Sequence, residues 1–204
     1  GIFPMARSRF DNEIHFVNPK KRALLPIKNF HVSKSFSRLI KKKPFFITVN
    51  KNFKKVINKC ATENRTDTWI NKTLEKQFYN LHKIGVAHSI ECWKNNEIVG
   101  GIYGVALGGC FFAESMFSSV NNASKFALIN LVARLYLLQY SVLDVQFMND
   151  HLKQFGAYEI AQDHFIKKIN EHINHNIDFQ SLSLKDEDLF DDVLTFLQEI
   201  KETS

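Results

Sequence analysis

The stretch "NASKFALINLVARLYLLQYSVLDVQF", residues 122–147, decides the fold. Leu128, Val132 and Leu135 recur at helical spacing and form an inward stripe, and Asn122 is a residue type that caps such a helix. After Tyr140 the period changes. Leu143, Val145 and Phe147 alternate with Asp144 and Gln146, which reads as a strand with an apolar side and a polar side. A long helix feeding directly into a strand is the signature of a crossover connection. The acid and the amide sit two apart on one face of that strand, just before "DHLKQFGA", a short helix ended by Gly156.

Upstream, "AHSIECW", "IVGGIYGVAL" and "CFFAESMF" read as three strands joined by "KNNE" and by Gly108-Gly109. "TWINKTLEKQFYNLHKIG" reads as a helix closed by Gly85, and "FFITV" with "NFKKVINKCAT" as a strand and a short helix. A three-strand meander, a helix, a strand and a helix predict an α+β fold: a mixed sheet with one parallel crossover, as in acetyltransferase-like (GNAT) domains. The phosphate-cradling Q/R-x-x-G-x-G/A loop of such domains is missing, since "SSVNNASK" stands in its place, so acetyl-CoA is disfavoured as substrate. The expected organisation is a basic, irregular N-terminal segment (1–60) forming a small α/β unit, an acetyltransferase-like catalytic domain (61–178) and an acidic tail with a helical pattern (179–204).

Charge is uneven. Residues 1–60 hold 15 Lys and Arg against Asp11 and Glu13, a net +13, leaving −7 for the rest of a chain that totals +6. Such asymmetry points to a polyanion, with nucleic acid the usual candidate. Cys60, Cys92 and Cys110 are odd in number and lack CxxC spacing, so they read as small buried residues in a reducing cytoplasm. His172 and His175 share a helical face without a third ligand nearby, and no metal is expected. The longest apolar run, "FALINLVARLYLLQY", is broken by Asn130 and Arg134, so no membrane span is expected. No secretory signal opens the chain, and Gly1 in place of Met leads us to expect an upstream start.

"GIFPM", "TWI" at 68–70, "HSIE" with "VGGIYGVA", "FFAESMFS", "NASK" and "DVQF…DHL..FGA" occur here in the order in which they occur in leucyl/phenylalanyl-tRNA–protein transferases. The chain resembles that family from residue 1 to about 178, and Met5 with the "DHLKQFGA" ending is most similar to its alphaproteobacterial branch. The resemblance implies an enzyme that moves Leu or Phe, and less readily Met, from aminoacyl-tRNA onto proteins with N-terminal Arg or Lys, marking them for degradation. It implies a cytoplasmic monomer needing no cofactor, metal or membrane.

The resemblance gives Asp144 and Gln146 the catalytic role. The residues themselves leave open whether Asp144 takes a proton or binds the acceptor's cationic end while Gln146 aligns the amine. Aminolysis of an activated ester needs a deprotonated amine held against the carbonyl, and no ATP. Ile102, Phe111, Met116, Leu131 and Leu143 match positions lining the donor side-chain slot, although alone they read as core. A slot shaped for Leu and Phe rejects β-branched chains sterically and polar ones through desolvation. Glu114, a lone acid among apolar neighbours, matches the group holding the donor's α-ammonium, with a structural salt bridge as the plain alternative. Trp69 matches a contact to the terminal adenosine and otherwise reads as core. Arg38, Lys41 and Lys42 match a phosphate-gripping cluster. Asn149 is a near candidate for acceptor binding. Two positions depart from the family: Met5 stands where Trp is frequent, and Ala113 where Gly is usual before Glu114. The competing readings are a sibling transferase acting on N-terminal Asp or Glu, and a non-catalytic RNA-binding protein.

Overall fold

The computed structural model describes residues 1–182 and 186–202. A two-stranded antiparallel ribbon, β1 (Phe3–Met5) and β2 (His15–Val17), precedes β3 (Lys21–Leu25), α1 (Lys34–Ile40), β4 (Phe46–Val49), α2 (Phe53–Thr62) and α3 (Lys72–Lys83). Then come β5 (Ala87–Lys94), β6 (Glu97–Leu107), β7 (Cys110–Ser118), α4 (Ala123–Leu137), β8 (Val142–Gln146) and α5 (Asp150–Lys153). The chain continues through β9 (Tyr158–Ala161), α6 (Gln162–His172) and α7 (Asp186–Glu202). Seven strands form one sheet in the order β4-β5-β6-β7-β8-β3-β9. Only β7 and β8, joined through α4, run parallel. The expected mixed sheet with a single parallel crossover is therefore present.

Alternation along the strands sorts the core into two faces. Ile102, Phe111 and Leu143 point to the face carrying α1, α4 and α7, with Phe36, Leu131, Val193 and Phe196 in the same cluster. Their neighbours point the other way, and that second face is covered in two parts. Tyr103 and Phe117 pack under α2 and α3, whereas Cys110, Val142 and Leu24 pack under α6 through Phe165 and Ile169.

Three expectations need correction. Residues 1–60 are not irregular: β3 and β4 belong to the main sheet, and β3, buried between β8 and β9, shows the continuous "ALL" of an inner strand rather than an alternation. The Leu128, Val132 and Leu135 stripe of α4 does face the core, but burial extends all round the helix, because every residue from Phe126 to Leu135 is buried. α7 supplies the outer cover, laying Leu189, Val193, Phe196, Leu197 and Ile200 against the same core. Asn122 makes no side-chain cap bond and sits at φ +67°. The cap comes from Ser118, whose Oγ accepts from the Ser124 amide at 3.1 Å and donates to the Val120 carbonyl. The expectation for tail residues 183–185 and 203–204 lies outside the described residues.

Candidate active site

Two irregularities in strand register shape the site. In β7, Tyr103 faces Ser115 and Gly104 faces Ala113, so Glu114 has no partner and forms a bulge. In β8, Leu24 faces Asp144 and Ala23 faces Gln146, so Val145 is the extra residue. The expected alternation thus breaks between Asp144 and Gln146, and Gln146 takes the left-handed φ of +60°. The two still meet, through the main chain: the Gln146 backbone N–H donates to Asp144 Oδ1 at 2.9 Å.

Asp144 is fully buried, not on a solvated strand face. Its charge is met by Arg22, a residue that sequence reasoning left among the general basic charge. Arg22 Nε donates to Oδ1 at 2.9 Å and to Oδ2 at 3.1 Å, and Nη2 donates to Oδ2 at 2.6 Å. The guanidinium lies between the rings of Phe3 and Phe165, at 4.7 and 4.6 Å from their centroids. Counting the Gln146 backbone N–H, four donor contacts converge on this carboxylate and hold it in one orientation. The only signal for Arg22 in the sequence is a cation opening the apolar run "RALL".

Glu114 lies in the opposite condition. Its Oε2 is buried without a hydrogen-bond partner, as are Gln146 Nε2 and the Tyr103 hydroxyl. Burial first, then the neighbouring Asp144 charge, pushes the Glu114 carboxyl up to about 8, with Arg22 and Gln146 pulling it back. Glu114, Asp144, Arg22 and Gln146 therefore form one electrostatic group on the second face of the sheet. It holds an acid and an amide side by side. Gln146 is near enough to act on the Glu114 carboxyl as a donor but falls short of hydrogen-bond geometry, which leaves Oε2 and Nε2 open to another partner. Such orphans mark a place built for a ligand's polar atoms.

Most of the remaining expected residues lie apart from this group, the apolar ones on the other face of the sheet. Ile102, Phe111, Leu131 and Leu143 are buried in the α4-side core, with Met116 packed against it. Ile102 faces Met116 and Phe111 faces Leu143 across adjacent strands. Trp69 is half-buried before α3, beneath the β1–β2 ribbon, its carbonyl accepting from the Ala6 amide at 3.1 Å. Arg38, Lys41 and Lys42 are exposed on and just after α1, which packs on α4 through Phe36 and Phe126 at 5.3 Å. Asn149 is exposed, and its Oδ1 caps α5 by accepting from the Leu152 amide at 2.9 Å. Of the "HSIE" stretch, His88 stacks on Phe179 at 4.3 Å. Glu91 accepts from Thr48, Ser89, Lys51 and Asn52, tying the start of α2 to the sheet. The three cysteines are buried, and burial pushes Cys60 to about 12 and Cys110 to about 11, so neither offers a thiolate.

No helix among the described residues is long and apolar enough to cross a membrane. A family described as "Leucyl/phenylalanyl-tRNA protein transferase" matches residues 24–170. The chain is 48% identical over 176 residues to a leucyl/phenylalanyl-tRNA–protein transferase of Zymomonas mobilis, covering 85% of this chain and 66% of that protein. It is 43% identical over 184 residues to one of Phenylobacterium zucineum, covering 89% and 83% of the two chains. With one of Paramagnetospirillum magneticum it shares 48% over 164 residues, 79% and 78% of each.

Proposed function

The chain belongs to the leucyl/phenylalanyl-tRNA–protein transferase family, and from that premise we propose that it moves Leu or Phe, and Met less readily, from aminoacyl-tRNA to the N-terminal Arg or Lys of acceptor proteins. The observation that carries this reading to particular atoms is the unsatisfied pair, Glu114 Oε2 and Gln146 Nε2, beside the fixed Asp144–Arg22 bridge. The meander followed by a helical crossover supports an acetyltransferase-like ancestry for the sheet.

In the reaction the acceptor's α-amine nitrogen bonds to the ester carbonyl carbon. The ester C–O bond then breaks, the amine loses its proton, and the ribose oxygen leaves as a hydroxyl. An α-amine has an ordinary pKa of about 7.7–8.0, so a fraction of it is neutral at cytoplasmic pH and needs positioning more than a strong base. Asp144 already accepts from Arg22 and from the Gln146 backbone N–H, which favours an orienting role over proton abstraction. Gln146 Nε2 is free to donate to the carbonyl oxygen as negative charge develops there. Glu114 meets the donor's α-ammonium: it is a protonated acid in the empty site and ionises when the cation arrives. Of the apolar candidates Met116, half-buried two residues past Glu114, meets the donor side chain, whereas Ile102, Phe111, Leu131 and Leu143 are closed into the α4-side core behind it. Trp69 meets the terminal adenosine, and Arg38, Lys41 and Lys42 meet phosphates. Asn149, two residues beyond Phe147, lies on the path of the acceptor.

The decisive experiment follows labelled Leu, Phe and Val from charged tRNA onto peptides beginning with Arg, Lys, Asp or Ala. Leu and Phe go to Arg and Lys, Val is not transferred, and Asp144→Ala and Gln146→Ala lose turnover by about 10²-fold or more. Transfer to Asp would replace the acceptor assignment, and tRNA binding without any transfer would favour a non-catalytic RNA-binding protein.

A further inference from the structure

The helix pair over the second sheet face carries a feature that the transfer chemistry does not use. Between α2 and α3 runs a groove of about 580 Å³ lined by Lys54, Lys55, Lys72, Lys76 and Tyr79, with Glu75 as its one acid. Lys51 and Lys83 extend it at one end, where the start of α2 packs beside the end of α3 through Phe53 and His82 at 4.4 Å. On α3, residues 72, 76, 79 and 83 follow the i, i+4, i+7, i+11 spacing of a single stripe, and on α2 Lys54 and Lys55 face them across the groove, with Lys51 just before the helix. All six lysines are exposed. Glu75 is already engaged, bridging Arg9 at 2.7 Å and Lys72 at 3.1 Å. Among the described residues, Lys51, Lys54, Lys55, Lys76 and Lys83 have no carboxylate within 4.0 Å. Tyr79 offers an exposed ring between Lys54 at 6.0 Å and Lys83 at 5.6 Å.

We propose that this groove is a second, sequence-blind contact for tRNA, gripping the phosphodiester backbone of a helical stem away from the aminoacylated end. The idea rests on the transfer reading above and extends it to a surface distinct from Arg38, Lys41 and Lys42, which lie on the α1 side of the sheet. Two observations favour RNA over an acidic protein. The groove is a line of like charges whose exposed apolar surface is lysine stems and the Tyr79 ring, Ile57 at its floor being buried, whereas protein interfaces are built around a cluster of exposed apolar side chains. The groove is also joined to the transfer site: in the loop linking α2 to α3, Arg65 donates to Ser115 Oγ at 3.3 Å and to the Met116 carbonyl at 3.5 Å, next to Glu114. Trp69 lies on that same loop. A tRNA whose terminal adenosine reaches Trp69 has its stem directed over α2 and α3.

The test is the double charge reversal Lys54→Glu with Lys76→Glu, against a control of equal charge change elsewhere, Lys94→Glu with Lys167→Glu. Three quantities are read: affinity for uncharged tRNA as a function of salt, KM for Leu-tRNA, and transfer from leucyl-adenosine, a donor without a stem. The groove variant weakens tRNA binding about tenfold and lowers the salt slope by roughly one to two. It raises KM for Leu-tRNA in proportion, and the rate with leucyl-adenosine changes less than twofold. The control variant moves none of these by more than twofold. Equal tRNA affinity and salt slope in groove variant and wild type would overturn the proposal. So would a loss confined to KM for the acceptor protein, which would assign the groove to that partner. Absence of transfer by the wild type would sink the transferase reading alone, because binding of uncharged tRNA tests the groove independently.

Discussion

Glu91, buried, and Glu114, half-buried with its Oε2 out of reach of solvent, stand two strands apart in one sheet and differ in what surrounds the carboxyl. Glu91 receives two hydroxyls and two backbone amides, so its burial is offset locally and it serves the fold. Glu114 has an empty Oε2 and a carboxyl raised to about 8. The native state therefore keeps a proton that the unfolded chain releases near the ordinary value of 4.5. Stability contributed by the protonated form is complete below that value and is lost as pH rises towards 8, at up to about 1.4 kcal/mol per pH unit. Glu114→Gln keeps the shape and removes the titration, so urea unfolding at pH 5, 6.5 and 8 shows a smaller fall in stability for the variant. Parallel curves would mean that the carboxyl ionises in the native state as freely as in water. Sequence pattern marked Glu114 as an acid among apolar neighbours, but its unmet oxygen depends on the β7 bulge, which no local pattern announces.

At the scale of elements, α4 packs against β6 so closely that the strand has room only for glycine at position 100. A Cβ on Gly100 would come 2.5 Å from Ala123 Cβ and 2.7 Å from its carbonyl carbon. Cys92 Sγ also donates to the Ala123 carbonyl at 3.1 Å, pinning the helix start to the next strand. Gly100→Ala therefore destabilises by about 1–3 kcal/mol through overpacking, read as a lower midpoint in urea with unchanged slope. The strands of the meander and the crossover were legible because each is long enough to show its period. β1 and β2 span three residues each, too few for any alternation to register. β3 is masked by the lysines before it, and its role as neighbour of β8 is a non-local pairing. Arg22 was hidden for the same reason: nothing within its own strand says that Asp144 waits beside it.

For the whole molecule, residues beyond 178 complete the main core. Phe179 stacks against His88 and Phe111 at 4.3 and 5.4 Å, and Arg134, itself buried, donates to the carbonyls of Phe179 and Leu182. A chain cut after residue 177 strands that guanidinium and uncovers the outer side of α4. We expect it to lose more than about 3 kcal/mol, the cost of stranding a buried charge or removing one large aromatic, and to bind the dye ANS. Full stability in the shortened chain would show α7 to be an appendage. One further consequence lies in the Arg22–Asp144 bridge, whose members stand 122 positions apart along the chain. Pairing β3 with β8 requires a long loop to close, so it follows the local hairpins in folding. During synthesis Asp144 emerges only after most of the sheet has been made. The Asp144 carboxylate thus acquires its cation near the end of assembly, so on the transfer reading proposed above a nascent or partly folded chain has no formed site with which to modify other proteins.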